Sequence, residues 1–118
     1  MKGGLRLRRR GDGQIICPEV FLAQGLFERA FGLIWASHIR GASGLWLPRC
    51  NAVHTCWMRA PIAVVFLDEG LRVVEVAPRL VPWRLRRCTA ATQVIESSPD
   101  SPLAGLCPGD ELVLESGS

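Results

Sequence analysis

Apolar and polar residues alternate along most of this chain with the two-residue period of a strand, and only one stretch follows the longer period of a helix. Leu5 and Leu7 alternate with Arg6 and Arg8, residues 11–13 (GDG) supply turn chemistry, and Ile15, Ile16 and Cys17 follow. That order predicts a β-hairpin that stops at Pro18. From Glu19 to Ile34, Phe21, Leu22, Leu26, Phe27 and Ala30 recur at helical spacing. A short amphipathic helix is expected there, although Gly25 blurs its boundaries. Residues 36–44 (ASHIRGASG) read as loop, 45–47 as a brief strand and 48–52 as irregular.

The clearest strand is 62–68, IAVVFLD, which is β-branched, apolar on both faces and too short for a helix. Such a run belongs in the middle of a sheet. Asp68, Glu69 and Gly70 make a hairpin turn into a strand at 71–76, with Val74 and Val76 expected on one face. Residues 78–87, PRLVPWRLRR, read as a proline-punctuated connection. Further strands are predicted at 93–96 and 111–115, with a single helical turn at 102–106 and a turn at Gly109 and Asp110. The sum is an α+β, mostly β fold: a small antiparallel sheet or partly closed barrel carrying one short helix.

Length and charge refine this picture. The 118 residues fit a single domain spanning 1–118, long enough to bury one real core. No apolar run approaches the ~18 residues of a membrane-spanning helix. The basic N-terminus has no apolar stretch behind it, so it does not read as a secretory signal, and the expected location is cytoplasmic. Five scattered cysteines, an odd number, speak against a disulfide framework. Residues 1–87 hold all 14 basic side chains, whereas 88–118 hold five of the 11 acidic ones. The acids alternate with apolar residues, as in ELVLE at 111–115. Two structured segments of opposite charge lying near each other explain this better than a nucleic-acid arm with an acidic tail.

The densest chemistry is in VHTCWMRAPIAVVFLD, residues 53–68. If 53–58 is extended, His54, Cys56 and Met58 share one face. They are soft ligands suited to copper(I), with zinc possible through the first two. Same-face neighbours on a strand stand roughly 6–7 Å apart, too far to share one ion without a bend. A packed face is the better reading, and no metal or cofactor is expected. A Cys56–His54 thiolate pair would need hydrogen-bond contact and an orienting group, which this spacing does not favour. Trp57 and Met58 would fill the core while Arg59 paired with Asp68 or another carboxylate. Alternatively the three would line a small pocket, with the planar guanidinium taking a carboxylate or phosphate. Two basic patches remain, Arg6, Arg8, Arg9 and Arg10, and Arg84, Arg86 and Arg87 beside Trp83. They could hold single-stranded nucleic acid by phosphate contacts and stacking, but a solvated strand edge kept soluble by charge is the commoner explanation.

Six segments come in a familiar order: QGLFERAFGL (24–33), LWLPRCN (45–51), VHTCWMRAPI (53–62), VVFLD (64–68), VPWR (81–84) and PGDEL (108–112). Over about residues 18–115 the chain resembles domain-of-unknown-function family 192, small bacterial and archaeal proteins. The resemblance implies a compact β-rich fold with a short helix and carries no activity. Three positions depart from the family pattern: Ala63 where an aspartate is usual, Cys56 where an aromatic is usual, and SSP at 97–99 in place of a glycine-containing stretch. The missing aspartate weakens an acid–base scheme, and the missing aromatic weakens a catalytic role for Cys56. The sequence therefore points to a non-enzymatic domain binding a small anionic or amphipathic ligand, or a protein partner, around His54, Trp57, Met58 and Arg59. A nucleic-acid-binding accessory using Arg8, Arg10, Trp83, Arg84, Arg86 and Arg87 is the alternative, and an unrecognised enzyme the third reading.

Overall fold

A computed structural model of the chain describes residues 2–23, 43–56, 58 and 60–117. Nine strands are described: β1 Lys2–Arg9, β2 Ile15–Leu22, β3 Ser43–Pro48, β4 Ala52–His54, β5 Ile62–Leu67, β6 Val73–Leu80, β7 Leu85–Arg87, β8 Gln93–Ser97 and β9 Leu112–Ser116. A 3-10 turn at Pro102–Gly105 is capped by the Ser101 hydroxyl, which accepts from the Leu103 amide. Seven strands form one sheet in the order β6-β5-β8-β3-β2-β1-β9, and β4 and β7 form a separate two-stranded sheet. The fold is mostly β, and every ladder is antiparallel except that between β2 and β3.

All six residues of β5 are buried, and the strand feeds two cores. Ala63, Val65 and Leu67 join Leu7, Cys17, Val20, Ile95, Leu103 and Leu112 in the first cluster. Ile62, Val64 and Phe66 join Leu45, Leu47, Val53, Met58, Leu80 and Val94 in the second. Residues from β1, β2, β5, β6, β8 and β9 all reach the first cluster, so the sheet curls around it. The curl brings the edge strands together at one end. Val73 donates to Asp110 at 2.8 Å, Leu112 to Leu71 at 3.0 Å, and Arg72 bridges Glu111. Beyond that point the sheet stays open. The second cluster lies on the other face, where the β4–β7 pair contributes Val53 and neighbouring Met58 and Cys88.

Several sequence expectations are corrected by the ladders. Residues 19–22 are not the start of a helix, because Glu19–Leu22 pair in parallel with Ser43–Trp46. Ala23 donates to the Trp46 carbonyl at 2.9 Å, and residues 24–34 of the expected helix lie outside the described residues. Pro18 does not end its strand. Between Leu5↔Val20 and Leu7↔Cys17, β2 runs one residue further than β1, and a bulge of this kind accommodates a residue without an N–H. Val74 and Val76 do not share a face. The pairs Phe66↔Glu75 and Leu67↔Val73 leave Val74 as an extra residue, so Val74 packs on the second cluster and Val76 on the first. Residues 43 and 44 of the expected loop lie in β3, and Pro48 and Ala52 of the irregular stretch also lie in strands. Within 78–87, β6 continues through Pro78 to Leu80, and Leu85–Arg87 form β7. Pro78 is tolerated there because β6 is an edge strand.

The opposite charges do meet. β9 pairs with β1, with Arg6 opposite Glu115 and Arg8 opposite Val113. The Glu115 carboxylate accepts from the guanidinium groups of Arg6 and Arg8, each Nε at 3.1 Å. These two arginines hold its carboxyl below the usual range. Arg9 reaches Asp12 and Asp110, and Arg10 lies 3.8 Å from Glu111. Such half-exposed pairs add little stability, but they occupy the N-terminal arginines.

Removing the ring from the fully buried Phe66 takes away contacts within the second cluster. Phe66→Ala is expected to cost about 3–5 kcal/mol, read as a lower urea midpoint at unchanged slope.

Candidate functional site

The segment after β4 turns away instead of remaining extended. β4 ends at His54, and Thr55 becomes a buried hub between it and the β6–β7 connection. The Thr55 hydroxyl donates to the Val81 carbonyl at 2.7 Å and accepts from the Arg84 amide at 2.8 Å. Its backbone amide donates to the Arg84 carbonyl at 2.9 Å. Its carbonyl accepts from Trp83 at 3.0 Å and from Met58 at 3.2 Å. Trp83 is held at φ 64°, the left-handed region that bulky residues seldom enter. One threonine thus fixes both the path of residues 81–84 and the return of the chain at Met58.

This turn separates the side chains expected on one face. His54 is exposed, Cys56 half-buried and Met58 buried in the second cluster. Trp57 and Arg59 lie outside the described residues. Among the described residues, no three His, Cys, Asp or Glu side chains are grouped so as to hold a metal ion. Of the residues considered for nucleic acid, Arg8 and Arg10 face Glu115 and Glu111, and Arg86 Nε lies 3.0 Å from Glu75. Trp83, Arg84 and Arg87 are exposed on and beside β7.

The most unusual group is one that the sequence reading passed over. Glu96 in β8 pairs with Leu45 on one side and Val64 on the other. Both neighbours belong to the second cluster, so strand alternation aims the carboxyl at the face that also holds Val94 and Met58. Glu96 is completely buried, and neither carboxyl oxygen has a hydrogen-bond partner among the described residues. Burial pushes its pKa up to about 8. The other buried polar side chains of β8 and its surroundings are satisfied. Gln93 accepts from the Trp46 indole and donates to the Asp68 carbonyl, each at 2.8 Å. Ser97 donates to Ser98, and Ser101 caps the 3-10 turn. Leaving a buried polar group unpaired costs about 1–3 kcal/mol, and groups kept at that cost concentrate at functional sites. The signal was present in QVIES: strand alternation groups Glu96 with Val94, on a core face. Ala63 faces the opposite cluster.

A family model described as DUF192, Uncharacterized ACR, COG1430, matches residues 7–114. The UPF0127 protein PH1112 of Pyrococcus horikoshii is 38% identical over 85 residues, 69% of this chain and 72% of that protein. Two solved structures share the fold at 18% identity, each covering 92% of this chain. One, from Sinorhizobium meliloti 1021, is described as "a putative transcription regulator" and aligns with a TM-score of 0.75 over 90% of its own chain. The other, a protein of unknown function from Novosphingobium aromaticivorans DSM 12444, aligns with a TM-score of 0.72 over 82%.

Two outcomes follow from this geometry. Glu96→Met removes an unpaired acid and keeps the volume, so it is expected to raise the melting temperature. The gap over wild type should widen as pH rises from 4.5 towards 8, because the unfolded chain loses the Glu96 proton before the folded chain does. The slope reaches at most about 1.4 kcal/mol per pH unit. Thr55→Val, which strips two hydrogen bonds from a buried hub, should lose about 1–3 kcal/mol in urea denaturation.

Proposed function

Because the chain belongs to the DUF192 family of uncharacterised proteins, a reading of its function has to come from its own geometry, and we propose that it is a non-enzymatic binding module for a small amphipathic ligand. The observation that carries this reading is the fully buried Glu96 carboxyl, whose two oxygens have no hydrogen-bond partner among the described residues. Its ladder neighbours Leu45 and Val64, together with Met58, belong to the apolar cluster on that face. Ligand sites combine apolar walls with a few placed polar groups. A protonated carboxyl among such walls suits the amine, amide or hydroxyl end of an otherwise apolar molecule. Trp57 and Arg59 adjoin Met58 in sequence and are proposed as a further wall and as the partner of an acidic group on the same ligand.

Binding is favoured over catalysis because, among the described residues, neither a second titratable group nor a nucleophile is hydrogen-bonded to Glu96. The exposed arginines favour nucleic acid less, since those on β1 are already opposed by acids of β9 and its approach.

The test is the mass of untagged protein under native and then denaturing conditions, for wild type and Glu96→Met. An excess mass lost on denaturation, present in wild type and absent from the variant, is the expected outcome. A bare wild-type mass, with no rise in melting temperature from amine- or hydroxyl-ended amphiphiles, would overturn the reading.

A further inference from the structure

A second surface points outward and stands independently of Glu96. Among the described residues four large hydrophobic side chains are exposed, and three of them, Val81 at 40%, Trp83 at 55% and Leu85 at 73%, fall within five consecutive positions. The backbone and hydroxyl hydrogen bonds of Thr55 hold this stretch in place. β7 begins at Leu85, is exposed at all three residues and, among the described residues, has a strand beside it on one side only, β4. An exposed strand with an open side is a template for another extended chain. Residues 76–95 contain four arginines and no acid. Arg86 meets Glu75, whereas Arg79, Arg84 and Arg87 are exposed and face no carboxylate within ion-pair distance among the described residues.

We propose that β7 and the Val81–Leu85 stretch form a docking surface for an extended, acidic segment of a partner protein that adds to the open side of β7. Main-chain hydrogen bonds would carry the pairing, the three apolar side chains would receive alternate apolar residues, and the arginines would select acidic ones between them. A nucleic-acid strand fits less well, because only one of the three exposed residues can stack on a base. A lipid surface offers no main-chain partner for an open strand.

The test uses the full chain and a fluorescein-labelled peptide alternating glutamate with valine, followed by anisotropy. Labelled oligothymidine and vesicles of anionic phospholipid serve as competing probes. The expected result is saturable peptide binding that weakens with salt. It should fall about tenfold or more in the exposed double variant R84E/R87E and in Leu85→Ser, while both variants keep the wild-type melting temperature. A peptide with prolines at alternate positions, lacking the main-chain donors, should not bind. No saturable binding of the glutamate peptide, equal binding by wild type and R84E/R87E, or tighter binding of oligothymidine or vesicles to the same residues would each overturn the proposal.

Discussion

The fold is governed by the need to cover a sheet that is apolar on both faces. A strand such as β5, buried at every position, cannot lie on the surface of a one-sided sheet, and β8 beside it is buried throughout as well. On one side the sheet meets the need by curling until β6 and β9 touch at the Arg72–Glu111 bridge, enclosing Val65, Leu67 and Ile95. On the other side the β4–β7 pair and Met58 supply cover over Val64 and Phe66. β-Bulges make the curl possible, since an extra residue bends a strand and increases its twist. Pro18 and Val74 mark two of them.

That arrangement gives Glu96 its character. In a one-sided sheet, a glutamate would point to water and titrate normally. Here β8 is flanked by β3 and β5, and both faces are core. Among the described residues the carboxyl meets no polar partner, and its proton is retained because burial disfavours the charged form. The same β4–β7 pair that helps cover this face presents Val81, Trp83 and Leu85 outward. Thr55 links the two roles. Through its carbonyl it accepts from Met58 of the buried cluster, and through its hydroxyl it holds the exposed stretch.

Much of this was legible in the residues. The unbroken apolar run of β5 announced a central strand, the Asp68–Gly70 turn announced its hairpin with β6, and Asp68 does accept from the amides of Gly70 and Arg72 at 2.9 Å. The charge contrast between 1–87 and 88–118 foretold that arginines and acids would meet, and β1 and β9 bring them together. The alternation rule failed where ladders slip. Pro18 looked like a stop and Val74 like a partner of Val76, because a bulge depends on which strand lies alongside, and that is a long-range fact. β7 was hidden among prolines and arginines, since its pairing with β4 comes from the Thr55 hub and not from its own propensity. Glu96 was missed because its strand was read for type alone, without asking which face an acid in it would occupy.

The Glu96 carboxyl is buried with no hydrogen-bond partner among the described residues. The most direct measurement is a carboxyl-carbon NMR titration of Glu96 in protein freed of small molecules. A midpoint near 8 that moves when an amine-ended amphiphile is added is the predicted result. A midpoint in the ordinary carboxylate range, unmoved by such molecules, would contradict it.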